Sequence, residues 1–271
     1  MNQEVIITAE RRWLGRTYEY CRNCFAGLYL PSHDEAHHLR VWYNARRLIP
    51  FLPARGISLD TTEVEGVLLA SLLHDTGMAE TFSTAHGAAG RRLAERFFSA
   101  CPDPPRLTEE ILNAIEKHDD KAYREQATPA TPGGRILLLL SVADDLDAFG
   151  YTGVFRYYEI YSLRGISVAQ DSEKILRNLD HRFEHMLHYL PEEEGLLNRH
   201  RQRYRITRAF FEDLGGRRQE EALQVLRFLD EKVLQPRHRP EDLQAAETSA
   251  PENPYLHRFI TEMIKELNPE R

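Results

Sequence analysis

Six side chains in this sequence have the types and order needed to do chemistry together: His37, the adjacent pair His74 and Asp75, then His86, His118 and Asp144. Imidazole and carboxylate without thiolate suit Mn, Fe, Co, Ni or Zn. His37, His74, Asp75 and Asp144 would give one divalent ion four protein ligands and leave positions for water and substrate. Adding His86 and His118 gives six, enough for two ions bridged by Asp75 and a hydroxide. Two ions roughly 3.5 to 4 Å apart acidify the bridging water and clamp both oxygens of a phosphoryl transfer. The sequence supports one ion better than two.

The elements that carry these residues follow from periodicity. Residues 67 to 77, VLLASLLHDTG, are an apolar helical run that ends in His74-Asp75 and is stopped by Gly77. The C-terminal end of a helix is the negative end of its dipole and favours a cation. Thr62 to Glu65 has the pattern of a capping box that would open this helix, and Ser32 with Glu35 has the same pattern for the helix before it. In that earlier helix His37, Arg40, Val41, Asn44 and Leu48 share a face, so His37 points inward; His33 and His38 lie round the side. Ser83 or Thr84 is expected to cap a helix with His86, Ala89, Gly90, Leu93 and Phe97 on one face. Thr108 is expected to cap the next, where Ile111, Ala114, Ile115 and His118 follow the i, i+3, i+4, i+7 pattern.

RILLLLSVADDLDAFG is apolar nearly all round, which predicts a central helix. Asp144 falls on the face of Leu137 and Leu140, where a carboxylate is costly unless paired or bound to metal. Asp145 and Asp147 fall on other faces and are expected to cap or pair locally. Residues 4 to 30 read as one or two helices that cover the core. Residues 171 to 190, 195 to 214 and 217 to 234 have helical periodicity, residues 120 to 134 read as a surface loop, and 236 to 254 as a linker. A last helix carries Leu256, Phe259, Ile260, Met263, Ile264 and Leu267 on one stripe, to be buried on this chain or on a second copy of it.

Composition sets the bounds. With 271 residues, 42% of them apolar, the chain can build a full core. A formal net charge of -7, from 35 basic and 42 acidic residues, lacks the basic footprint of a nucleic-acid binder, so no obligatory nucleic acid is expected. No run is long and apolar enough to cross a bilayer and no secretory leader is evident, so a soluble, cytoplasmic protein is expected. Cys21, Cys24 and Cys101 cannot make a disulfide framework, and no second CxxC or histidine pair completes a zinc site with Cys21 and Cys24.

The order His37, His74-Asp75, Asp144 resembles the HD-domain superfamily of metal-dependent phosphohydrolases. The local contexts agree: DEAHHLRV is similar to that family's first ligand helix, LLASLLHDTG to its HD helix, and ADDLDAFGYTGVFR to the segment holding its last Asp. The resemblance covers about residues 31 to 190. It implies an all-α fold with an HD-domain helical bundle at 31–190; periodicity adds an N-terminal helical extension at 1–30 and additional C-terminal helices in a region at 191–271, where the chain departs from the minimal family pattern. The resemblance also implies that His37, His74, Asp75 and Asp144 hold the ion, and that His86 and His118 match the two extra histidines of some members. These ligate a second ion there, or the residue matching His86 acts as an acid or phosphate contact. The GYP motif of the family's cyclic-dinucleotide branch is absent from this sequence.

The expected activity is therefore cleavage of a phosphate ester of a small molecule or nucleotide by metal-activated hydroxide. Asp75 and His86 would serve catalysis, and Arg40, Lys117 and Arg156 are candidate phosphate contacts. A di-iron oxygenase and a catalytically silent nucleotide-binding regulator are the alternatives, and homo-oligomerisation through the last helix is a possible assembly.

Overall fold

The computed structural model describes residues 3–120, 130–189, 194–240, 243 and 253–267, and among them every regular element is a helix. The elements are α1 (Gln3–Cys24), α2 (Glu35–Leu48), α3 (Thr61–Leu73), α4 (His86–Ser99), α5 (Thr108–Lys117) and α6 (Pro132–Asp147). They continue with α7 (Gly150–Leu163), α8 (Ser172–Tyr189), α9 (Glu194–Leu214), α10 (Gln219–Leu229) and α11 (Pro254–Leu267). Most of the expected loop at 120 to 134 and of the expected linker at 236 to 254 lies outside the described residues.

The helices gather into two compact units. The first comprises Met1–Leu28, His33–Asp147 and His185–Glu193. Its axis is α3, which packs against α1, α2, α5 and α6. Every residue from Glu63 to Leu73 is buried, as an apolar helix without a polar face must be. Close approach to α6 is allowed by Gly66, where an added Cβ would lie 2.7 Å from Ile136 Cδ1. The residues 4 to 24 form one helix, not two. Within it Trp13 and Cys21 are buried, and Cys21 Sγ donates to the Leu72 carbonyl at 2.7 Å.

Four helix starts differ from expectation, α2 and α3 through the choice between two side-chain caps. The N-cap of α2 is Asp34, whose carboxylate accepts from Ala36 N; Ser32 donates its hydroxyl to the buried Glu159 at 2.6 Å. The capping box of α3 is built by Asp60 and Glu63, two residues ahead of the expected Thr62 pattern. Each helix offers two overlapping cap patterns, and the residue that wins is the one with extended backbone beside the first turn. Similarly, α4 and α5 begin after Ala85 and Leu107, neither of which caps through a side chain.

The second unit comprises Tyr29–Ser32, Ala148–Glu184 and Glu194–Arg271. In it α7 packs on α9 and α11, and α10 on α9 and α11. Thr207 donates to the Gly150 carbonyl at 2.9 Å, and Glu266 accepts from Thr152 N at 3.0 Å at the start of α7. The apolar stripe of α11 is covered by its own chain: Phe259, Ile260, Met263 and Leu267 are buried.

Candidate metal centre

All six chemically suggestive residues belong to the first unit. His37 lies in the first turn of α2, His74 and Asp75 directly follow α3, His86 opens α4, His118 caps the end of α5, and Asp144 lies in the last turn of α6. Five separate stretches of chain thus deliver side chains to one place. His37, His74 and Asp144 present ligand atoms within 4.8 Å of one another, and so do His74, Asp75 and His118.

The donor spacings are those of a coordination shell. His37 Nε2 and His74 Nε2 are 3.1 Å apart; Asp75 Oδ2 lies 3.5 and 3.3 Å from them, and Asp144 Oδ1 3.7 and 3.8 Å. Bonds of about 2.1 Å put neighbouring ligands about 3.0 Å apart at right angles and about 3.4 Å apart in a tetrahedron. On the other side, Asp75 Oδ1 lies 2.9 Å from His118 Nε2 and 3.4 Å from His86 Nε2. The two oxygens of one carboxylate therefore face two different histidine pairs.

The histidine rings are oriented for ligation. His74, His86 and His118 each donate Nδ1–H to the backbone carbonyl three residues earlier, at Ser71, Ser83 and Ile115, at 3.1, 2.8 and 2.7 Å. His37 Nδ1 instead meets a carboxylate oxygen of Asp147 at 2.8 Å. A carbonyl or carboxylate oxygen accepts only, so each Nδ1 holds a ring proton and each Nε2 is directed at the cluster. Two imidazole nitrogens facing each other at 3.1 Å with carboxylates alongside are a good fit to a shared cation and a poor fit to one another. The residues present therefore fit a divalent metal.

Electrostatics agree. Burial lowers the pKa of His74, which favours the neutral ring that a metal would need. Burial would raise Asp75, but the imidazoles of His74, His118 and His37 around it hold it well below the usual carboxylate range. Burial works against charging His118, yet the hydrogen bond and charge of Asp75 prevail and raise it to about 9. A metal ion and that proton compete for the same lone pair.

The remaining sequence candidates fall as follows. Arg40 is buried and bound to Asp147, through Nε at 2.9 Å and Nη2 at 3.1 Å. Lys117 is exposed, one residue before His118. Arg156 is buried in the second unit, on α7. The expectation that Asp145 and Asp147 pair locally is corrected: Asp147 reaches His37 and Arg40 on α2, and Asp145 Oδ2 lies 3.6 Å from His185 Nδ1. Both are more deeply buried than Asp144, whose side chain is 16% exposed against 2% for Asp147. In a helix apolar all round, the sequence defines no inward face, so period alone ranked the three carboxylates wrongly. His38, placed round the side by sequence, is fully buried as well; its Nδ1 donates to the Leu72 carbonyl at 2.7 Å, and burial holds its pKa well below the usual histidine value.

Among known families, the HD domain model matches residues 35–149. No curated protein and no solved structure matches the chain.

Proposed function

Residues 35–149 place the chain in the HD superfamily of metal-dependent phosphohydrolases, and from that premise we propose that it hydrolyses a phosphate ester of a small molecule or nucleotide. The observation that carries this reading is the placement of Asp75, one oxygen toward His37 and His74 and the other toward His86 and His118. His37, His74, Asp75 and Asp144 would hold the first divalent ion, and Asp75, His86 and His118 a second. When bound, such an ion supplies Lewis acidity, which acidifies water and polarises a phosphoryl oxygen.

The chain's own residues do the rest. The i−3 carbonyls fix three rings in the ligating tautomer, and the dense packing around α3 keeps bulk water from the buried donors. Where one ion is bound, His86 is free of that duty and placed to protonate the leaving oxygen. Lys117 is the proposed phosphate contact from the unit that holds the centre, since the geometry of Arg40 commits it to Asp147. The substrate is proposed to be a small phosphate and not a nucleic acid, in line with the charge of -7. A cytoplasmic setting goes with this reading; among the described residues no helix is long and apolar enough to cross a membrane.

The test is hydrolysis of a broad phosphoester panel by Mn- or Co-loaded protein beside an Asp75→Ala variant. Turnover by the wild type and none by the variant is the expected result; equal inactivity of both would sink the proposal. The same bridging placement of Asp75 also favours a second reading, a di-iron oxygenase. Iron near two per chain and substrate-dependent oxygen uptake would select it over the hydrolase.

A further inference from the structure

We infer that Asp147 and Arg40 form a positioning pair that sets the ligating strength and orientation of His37, and that Arg40 acts on the metal through this relay and not on the substrate. The inference rests on the metal-centre part of the proposed function.

His37 differs from the other candidate ligands in what holds its ring. His74, His86 and His118 each lean on a neutral carbonyl three residues back on their own chain segment. Such a bond forms with the local turn and needs no distant partner. His37 leans on a carboxylate 110 residues away, and that carboxylate is itself gripped by Arg40 one turn further along α2. Asp147 Oδ2 receives His37 Nδ1–H at 2.8 Å and Arg40 Nη2 at 3.1 Å, while Oδ1 takes Arg40 Nε at 2.9 Å. The side-on fork fixes the plane of the carboxylate.

The positions are buried, at 0% exposure for the His37 side chain, 2% for Asp147 and 8% for Arg40. An ionised carboxylate at that depth is costly without a matching charge, and Arg40 supplies it. A carboxylate behind a ligating imidazole raises the ring's basicity and locks its tautomer, and such outer partners govern metal affinity. Arg40 is therefore turned away from the role of phosphate contact: two of its three nitrogens are spent on Asp147. The third, Nη1, is buried and has no hydrogen-bond partner among the described residues, so the substrate reading of Arg40 is the one the experiment must distinguish from the relay.

The experiment compares Asp147→Asn, Arg40→Gln and the double variant with the wild type by Mn²⁺ titration calorimetry, with circular dichroism to confirm the fold. Each single variant is expected to weaken Mn²⁺ binding by about 10- to 100-fold. The double variant should lose little more than the worse single one, because the two residues act as a unit. An unchanged Mn²⁺ affinity in folded Arg40→Gln, with a raised KM for p-nitrophenyl phosphate, would make Arg40 a substrate contact and overturn the inference. Should the variants not fold, ¹⁵N-histidine NMR of the Zn²⁺-loaded wild type decides: His37 is expected with its proton on Nδ1, protected from exchange, and a proton on Nε2 overturns the relay. Wild type that binds Mn²⁺ in the expected variant order yet hydrolyses no phosphoester would sink the hydrolase reading and leave this one standing. Wild type that binds no metal removes both.

Discussion

Asp75 is the residue at which both histidine pairs meet, and substitutions there and at His118 separate the possible metal centres. Asp75→Asn keeps the shape and removes the charge. It is expected to lower metal affinity beyond the roughly 10- to 100-fold typical of an outer partner, because in the proposed centre Asp75 would be a direct ligand at both positions. Metal analysis after dialysis reads this. His118→Ala should instead remove one ion per chain while His37, His74 and Asp144 keep the other, so a fall from two to one marks a dinuclear centre. A stoichiometry of one in both the wild type and the variant would place His118 outside the shell. The residue types in this centre were legible from the sequence because histidine and aspartate on apolar faces are rare without a purpose. Asp147 was not legible, since its partners on α2 are brought close only by the packing of α2 on α6.

At the scale of elements, glycine sets how near the second histidine pair can come. A Cβ on Gly77 would collide with the His86 carbonyl and with Gly90 N, and one on Gly87 would collide with the Glu116 carbonyl. These glycines let the start of α4 press against the turn that follows Asp75 and against the end of α5. Gly77→Ala is therefore expected to cost about 1 to 3 kcal/mol as α4 is pushed aside, read by urea unfolding. It should also weaken binding at the position of His86 before that of His37. Loss of stability below about 0.5 kcal/mol would mean that α4 yields freely.

Capping gives a second test at this scale. The Asp60 carboxylate accepts from Thr62 and Glu63 at the start of α3, and the Thr62 hydroxyl and those backbone N–H groups hold its pKa below the usual range. A depressed carboxylate adds stability above its unfolded pKa near 4 and loses it as pH falls through the lower folded value. Asp60→Ala should thus cost about 1 kcal/mol at neutral pH and progressively less below about pH 4, followed by denaturation across that range. A cost that stays constant on acidification would assign it to something other than the ionised cap.

For the whole molecule, the first unit concentrates buried ionisable groups: His37, His38, His74, Asp75, His86, His118, Asp145 and Asp147 all sit with less than a tenth of their surface exposed. Metal should therefore stabilise the fold as well as serve chemistry. With Mn²⁺ at about 100 times its dissociation constant, stability should rise by about 2.7 kcal/mol over chelator-treated protein, measured by thermal or denaturant unfolding. No rise would mean that the ion binds folded and unfolded chain alike. The second unit has its own core, in which α7, α9, α10 and α11 bury Phe210, Phe211, Val225, Leu229, Phe259 and Met263.

What the sequence determined by itself is the local content: helices wherever apolar residues recur at three- and four-residue spacing, an HD pair at the end of a helix apolar on every side, and histidines on inward stripes. These depend on period and residue type, which a linear string displays. Tertiary structure alone decided which capping residue each helix uses, which of three carboxylates on α6 lies deepest, and that Arg40 faces Asp147. It also decided that one carboxylate, Asp75, turns its two oxygens to opposite histidine pairs. Those are relations between segments tens of residues apart, set by how helices pack and how closely glycine lets them approach, and no spacing within one segment encodes them.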